Sequence, residues 1–329
     1  MNLESTEKLI QYRHNVPDNP LVSVCVQTYQ HAKYIEQCLD GILMQKTSFP
    51  FEVLLGEDES TDGTREICIE YAKKHPDKIR LILHRRENVI KIGGQPTGRF
   101  NLLYNLKEAR GKYIALCEGD DYWTDPYKLQ KQVDFLEGNP EYTGVFHNVQ
   151  QMNEKSGINK KLKFEGNVFD IMNISNAHVA TCSMVFRNGL IDDFIKSANV
   201  ESYTSGDKMV YYLLAGKGKL KYFEKSMAVY RIHYGGITTW GNHEMIWLSN
   251  IKLWNDLDNY FNYRYHPVFK KLLFIWHGNL SLLYSKSNKY MKWIAYLAKT
   301  ASYINSVAEF KIFIKDYFVK SLKKKEWYE

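Results

Sequence analysis

An α/β fold built on a mostly parallel sheet is what this 329-residue chain predicts, and three observations carry the prediction. From residue 21 to 122, short apolar β-rich runs alternate with segments whose apolar residues recur at helical spacing, the pattern of a parallel sheet flanked by helices. Three of these runs lead at once into a polar cluster: Thr28-Tyr29, Glu57-Asp58 and Glu118-Gly119-Asp120-Asp121. Beyond residue 240 the pattern turns helical and aromatic, with Trp247, Trp254, Phe274, Trp276 and Trp293, which adds a C-terminal helical extension. The organisation expected is an N-terminal segment 1–20, an α/β domain 21–240 and a helical region 241–329 with a basic amphipathic end.

Each element follows from local sequence. Pro17-Asp18-Asn19-Pro20 is a turn-rich entry. The apolar run 21–26 predicts a strand, and Gln27-Thr28-Tyr29-Gln30 a polar turn. Ile35, Leu39, Ile42 and Leu43 predict a helix over 32–45. A strand over 51–56 runs into the acidic loop 57–64, which caps a helix over 64–75, and a third strand covers 79–83. A loop of glycines and basic residues reaches Gly98-Arg99, ahead of a helix over 100–109. The run 112–116 is a strand that delivers three carboxylates in four residues, Glu118, Asp120 and Asp121. Asp125 as cap and Pro126 at the first position predict a helix over 126–137. Strands over 144–149, 180–186 and 228–233 follow, with a polar, lysine-rich loop over 151–167 and an apolar helix over 209–215 after Ser205-Gly206-Asp207.

In parallel sheets ligands bind outside the carboxyl ends of the strands, so the three polar clusters are expected along one edge. Carboxylates this close repel unless a cation or a shared proton relieves them. Oxygen ligands of this kind suit a hard ion, Mg²⁺ or Mn²⁺, held between carboxylates and a substrate's phosphates. The plain alternative is a solvated acidic turn ahead of a helix. No GxGxxG follows the first strand and no Walker sequence occurs, so the dinucleotide and P-loop readings lack their phosphate cradle.

Composition bounds the rest. The chain is 44% hydrophobic, enough for a sizeable core, and its net charge of +7 suits anionic partners without choosing among them. Five cysteines with no CxxC pair favour a reducing compartment over a disulfide framework. Met1 to Ser5 is polar and reads as no signal peptide, and no apolar run reaches the ~20 residues that span a bilayer. The expectation is a cytoplasmic protein. Phe310, Phe313, Ile314, Phe318 and Leu322 recur at helical spacing among Lys311, Lys315 and Lys320, with Lys323-Lys324-Lys325 and Trp327 beyond. Such a basic amphipathic helix suits the anionic inner face of a membrane, or else packs on the protein with a solvated basic tail. Basic residues are otherwise dispersed, which argues against a nucleic-acid partner.

Four segments together resemble the inverting family 2 glycosyltransferases with the GT-A fold, of the bacterial polysaccharide-biosynthesis type. Val22 to Gln30 resembles the family's opening strand and turn, and Glu57 to Thr64 its acidic loop. The third match joins Ala109-Arg110-Gly111-Lys112-Tyr113-Ile114 to Glu118-Gly119-Asp120-Asp121, and the fourth joins Gly206-Asp207 to Tyr230-Arg231-Ile232-His233. Three departures stand out: Gln27 replaces a proline, Glu118 the first Asp of the metal motif, and Gly206 the Glu of the usual Glu-Asp pair.

The resemblance implies a nucleotide-diphosphate sugar as donor, usually UDP-linked, and a glycan or lipid-linked glycan as acceptor. Thr28 and Tyr29 would line base and ribose, and Asp58 would accept from the base. Arg99 would reach phosphate or base, and Glu118 and Gly119 would face the sugar or ribose. Asp120 would hold Mn²⁺ or Mg²⁺, with His233 as a late ligand of that ion or a diphosphate contact. Asp207 would be the general base, with the N-cap of the following helix as its alternative. Arg231 would serve as a scaffold ion pair. Trp123 and Asp121 would face the acceptor, and core packing is the alternative for Trp123. Two other readings stay open: a nucleotidyltransferase, which lacks its glycine-rich phosphate loop here, and a non-catalytic nucleotide-sugar or membrane-binding scaffold.

Overall fold

A computed structural model of the chain describes residues 10–92, 94–154, 156–157, 159–161, 165–198, 200–233 and 243–322. Met1 to Ser5, the Lys323-Lys324-Lys325 and Trp327 tail, and the expected domain junction near 240 lie outside them. The described residues fall into two compact units: one of residues 10–196 with 206–233, the other of 197–205 with 243–322.

In the first unit, chain order runs β1 (Ile10–Gln11), β2 (Val22–Thr28), α1 (Ile35–Leu43), β3 (Phe51–Glu57), α2 (Thr64–Lys74), β4 (Ile79–Leu83), the small hairpin β5 (Lys91–Ile92) and β6 (Gln95–Pro96), α3 (Arg99–Glu108), β7 (Tyr113–Leu116), β8 (Tyr122–Trp123), α4 (Lys128–Gly138), β9 (Tyr142–Asn153), β10 (Asn159–Lys161), β11 (Val168–Phe169), β12 (Val185–Arg187), α5 (Asp192–Ser197), α6 (Gly206–Lys217) and β13 (Lys219–Ile232). One sheet has the order β1-β4-β3-β2-β7-β12-β9-β13-β11, with β10 on β9 and β8 on β13. Its half β4-β3-β2-β7 is parallel. Every residue of β2 and β3 is buried, as both-face burial demands, and that is why these strands read as continuous apolar runs.

The other half is mixed, and here the sequence reading needs correction. β12 runs antiparallel to both β7 and β9. Residues 181–183 form a tight helical turn, with Ser183 Oγ donating to the Ala180 carbonyl at 2.6 Å, so only Val185–Arg187 pairs as strand. β13 begins at Lys219, well before the predicted 228, because a register shift between Phe223 and Ala228 and exposed Lys219, Glu224 and Lys225 interrupt its apolar pattern. β9 and β10 form a hairpin out of part of the expected loop 151–167. Helix α4 starts two residues after Pro126. Asp125 covers its approach by accepting from the Tyr127 N–H at 2.9 Å.

The opposite edge of the parallel strands, at their N-terminal ends, is a closed ion network. Glu52, fully buried, accepts from Ser23 Oγ at 2.6 Å and from Arg80 Nη1 at 3.0 Å. Ser23 Oγ in turn accepts from the Gly111 N–H at 2.8 Å. A Cβ on Gly111 would lie 2.5 Å from the Ser23 nitrogen, so this backbone approach requires glycine.

The second unit is helical: α7 (His243–Tyr260), α8 (His266–Lys286), α9 (Tyr290–Ser302) and α10 (Val307–Ile312), which continues as a π-helical stretch Phe313–Val319. Thr204 N–H donates to Ser249 Oγ at 2.7 Å, which ties the segment Ser197–Ser205 to α7. The π stretch docks through Tyr317, whose ring fills the space a Cβ on Gly278 would need, 2.4 Å away. The predicted apolar row is therefore not the packed seam: Phe310, Ile314 and Phe318 are exposed. No helix among the described residues is long and apolar enough to cross a membrane.

Candidate active site at the carboxyl edge of the sheet

The carboxyl ends of β2, β3 and β7 bring two loops and the acidic stretch together. Behind β2 the chain turns through Gln30 at φ 54° and is stitched to the loop after β3. Gln30 N–H donates to Ser60 Oγ at 2.9 Å, His31 N–H to Thr64 Oγ1 at 2.8 Å, and Ala32 N–H to Asp62 Oδ2 at 3.0 Å. Glu57 ties the second loop from inside, accepting from the Ser60 N–H at 2.6 Å and from Arg65.

Asp58 lies one residue further on, nearly buried. Its Oδ1 accepts from Asn101 Nδ2 at 3.1 Å, and the same amide also donates to the Gly56 carbonyl at 2.8 Å. Burial pushes the Asp58 carboxyl up to about 7 despite the nearby Arg86. Thr28 is buried beside it, and Tyr29 is 36% exposed with the Arg86 guanidinium 3.9 Å from its ring centre. Arg86 was not singled out from the sequence; its place in a loop rich in charge gave no local signal.

The three carboxylates after β7 have three different environments. Asp120 accepts from or shares a proton with His233 Nε2 at 2.9 Å and lies 3.9 Å from His31 Nε2. Burial raises its pKa, but the His233 hydrogen bond and the two imidazole charges outweigh this and hold it below the ordinary value. Glu118 is pushed up to about 8 by burial and then by the charge of Asp120. Asp121 is 1% exposed, accepts from the Arg231 N–H at 2.8 Å, and burial raises it well above the usual range. His31, Asp120 and His233 offer ligand atoms that all lie within 4.8 Å of one another. The nearby donors thus include two imidazoles, not oxygens alone, and His31 was missed because tertiary structure alone brings it to Asp120.

Arg231 is a clasp rather than an ion pair. Its guanidinium donates to the Asp120 carbonyl and to Gln37, and it stacks over Tyr122 at 4.4 Å. Gly119 is required by contact: a Cβ there would lie 2.6 Å from Thr28 Oγ1 and 2.9 Å from His31 Nδ1.

Two expectations fail on burial. Trp123, expected to face an acceptor, is 1% exposed. Its indole N–H donates to the Cys182 carbonyl at 2.8 Å, and the buried Lys128 amine sits 4.0 Å from its ring centre. Asp121 offers no free carboxylate face for the same reason: its position under Arg231 is core. Arg99 is not on an open loop. It opens α3, is nearly buried, and its guanidinium occupies the space above Gly206, where a Cβ would lie 1.8 Å from Nη1. A side chain at 206 would have to displace that guanidinium. Asp207 lies in the first turn of α6, half-exposed, not at the cap. Its charge acts on Arg99, His178 and Glu118, so it belongs to the same electrostatic neighbourhood as the acidic stretch.

Comparison with known proteins agrees with this architecture. The profile of glycosyl transferase family 2 matches residues 23–194, just over half of the chain. An uncharacterized protein of Mycobacterium tuberculosis is 36% identical over 219 residues, 66% of this chain and 60% of that protein, so the match spans less than two thirds of the relative's length. Among solved structures, S. aureus TarS (residues 1–349) in complex with UDP-GlcNAc superposes with a TM-score of 0.65 at 18% identity, covering 92% of this chain and 88% of that one. A mannosyltransferase from Pyrobaculum calidifontis in complex with GDP-Man and Mn²⁺ gives 0.51 at 17% identity, covering 94% and 87%. The fold is the GT-A fold.

Proposed function

The chain belongs to glycosyl transferase family 2, and on that premise we propose that it transfers a sugar, with inversion, from a UDP-linked donor to a hydroxyl of a glycan or lipid-linked glycan. The observation that carries the reading is the shared strand edge. Asp58, a buried acceptor suited to a base, follows β3, and Asp120, which with His233 suits a cation, follows β7. The charges of Asp120 and Asp207, a carboxylate suited to take a proton, both act on Glu118 in the acidic stretch.

Asp58 suits a base N–H, because a donor hydrogen bond compensates the charge that burial disfavours. Thr28 and Tyr29 flank it for the base and ribose, with Arg86 behind the Tyr29 ring. Asp120 and His233 fit a divalent ion, Mn²⁺ or Mg²⁺, by donor type and proximity. Such an ion, when bound, stabilises charge on a diphosphate leaving group. Glu118 and Gly119 face the sugar or ribose. A Glu118 carboxyl that keeps its proton near neutral pH donates to a hydroxyl rather than repelling the phosphates. Asp207 takes the proton of the acceptor O–H while that oxygen bonds to the anomeric carbon. The C–O bond to the diphosphate breaks on the opposite face, and the nucleoside diphosphate leaves with the electron pair. Arg99 is close enough to feel the Asp207 charge.

Thermal denaturation with UDP-, GDP-, dTDP- and CMP-sugars, with and without Mn²⁺, tests the donor. A ligand of the native state adds RT ln(1 + [L]/Kd), about 2.7 kcal/mol at a hundredfold excess over Kd. The expected result is a shift with UDP-sugars that grows with Mn²⁺. No shift with any nucleotide sugar would favour the scaffold reading.

We also propose that the helical unit rests on an anionic membrane. Phe310, Ile314 and Phe318 are exposed among Lys311 and Lys315, and an apolar face with a basic rim suits such a surface. Salt-sensitive binding to anionic vesicles, weakened by Phe310→Ser with Phe318→Ser, is the expected result. Binding unchanged by those substitutions would remove the assignment.

A further inference from the structure

We propose that His31 is a third protein ligand in the cation site, making it a two-imidazole, one-carboxylate set that prefers Mn²⁺ to Mg²⁺. The inference rests on the reading of Asp120 and His233 as cation ligands and goes beyond it.

Four observations carry it. First, position: His31 Nε2 lies 3.9 Å from Asp120 Oδ2, the oxygen that His233 Nε2 meets at 2.9 Å. The three donor atoms fall within 4.8 Å of one another. Donors on one such ion lie about 2.1 Å from it, so small side-chain movements bring the three together. Second, orientation: His31 Nδ1 is 3.2 Å from Thr28 Oγ1. That contact leaves Nε2 as the ring nitrogen facing Asp120, and the tautomer with its proton on Nδ1 has the Nε2 lone pair free for a metal. Third, rigidity: the His31 N–H is held by Thr64 Oγ1 at 2.8 Å, and Thr64 Oγ1 donates to Asp62 Oδ1 at 2.6 Å. The ligand therefore stands on a loop fixed from both sides. Fourth, clearance: Gly119 lacks the Cβ that would strike both Thr28 Oγ1 and His31 Nδ1, so the acidic stretch passes under this pair only because it carries glycine there.

The chemistry sets the preference. Mg²⁺ takes oxygen donors and sheds water reluctantly; Mn²⁺ shares its liking for carboxylate but, as a first-row transition ion, accepts imidazole nitrogen more readily, though less than Fe²⁺, Ni²⁺ or Zn²⁺ does. Two nitrogens at one site therefore favour Mn²⁺.

Mn²⁺ binding to the full chain, with UDP present, is measured by electron paramagnetic resonance, and bound-ion nitrogen couplings by pulsed methods. The wild type is expected to show two imidazole nitrogens on Mn²⁺. His31→Ala and His31→Gln are expected to show one, with Kd for Mn²⁺ raised roughly tenfold to a hundredfold and less discrimination against Mg²⁺. A single imidazole coupling in the wild type would overturn the assignment without any variant. So would Mn²⁺ affinity lost in Asp120→Asn and His233→Ala but unchanged in both His31 variants, which leaves the two-residue site standing. Absence of Mn²⁺ binding to the wild type overturns both readings.

Discussion

The parallel strands end in two different ways. At their N-terminal edge Glu52, Arg80 and Ser23 form a buried network in which each charge meets its partner, and Arg80 also reaches Glu108 at 3.2 Å. At their carboxyl edge Asp58 and Glu118 are buried with too little compensation, and both hold their protons more tightly than usual. Both edges remove carboxylates from water. Only one completes the job from within the chain. A buried acid left to a ligand is a site; a buried acid given a cation is a scaffold. Perturbed groups cluster at functional sites for this reason.

The comparison can be broken in three ways. The largest effect is expected at Asp207. Asp207→Asn should lower kcat about 10²- to 10⁴-fold, the usual worth of a placed base, while donor binding by thermal shift stays intact. Wild-type turnover in that variant would take the general base out of the carboxyl edge. Next, the same chemical change can be made at each edge. Glu52→Gln should cost about 3 kcal/mol in urea denaturation at pH 7, because Arg80 loses a buried counter-charge. Glu118→Gln should stay within about 1 kcal/mol, because that carboxyl already carries a proton near pH 7. Equal costs would erase the distinction.

The smallest effect is a slope. Asp58 binds its proton more tightly folded than unfolded, so its contribution is complete below the unfolded pKa near 3.8. It is lost as pH rises, and the loss is finished once pH passes about 7. Stability between pH 5 and 7 should fall less steeply in Asp58→Asn than in the wild type. An unchanged slope would mean the Asp58 carboxyl is not the group titrating there.

How much of this was legible in sequence follows the same division. The parallel half was readable because strands buried on both faces are continuous apolar runs, and Ile79–Leu83 agrees at both ends. The mixed half was not: β13 faces solvent at Lys219, Glu224 and Lys225, so its first part looked like loop. The acidic stretch, Asp58 and Asp207 stood out by type and position. His31 did not, although it directly follows the polar turn after the first strand, because Asp120 and His233 are themselves 113 residues apart and no spacing announces a triad assembled by folding. Trp123 misled because an aromatic beside a polar motif reads the same whether it faces a ligand or the core. Only the Cys182 carbonyl, distant in sequence, decides it.

The Arg99 guanidinium lodged over Gly206 has an evolutionary consequence. Two positions 107 residues apart compete for one volume, so their identities are epistatic. A side chain at 206 requires the Arg99 guanidinium, the mobile end of a long side chain, to swing aside, and a small residue at 99 would open a hole that glycine cannot fill. Drift between this arrangement and the Glu-Asp form passes through both positions together, or through an intermediate in which the guanidinium has swung aside or left a hollow. Lineages are therefore expected to keep the pair as one inherited character.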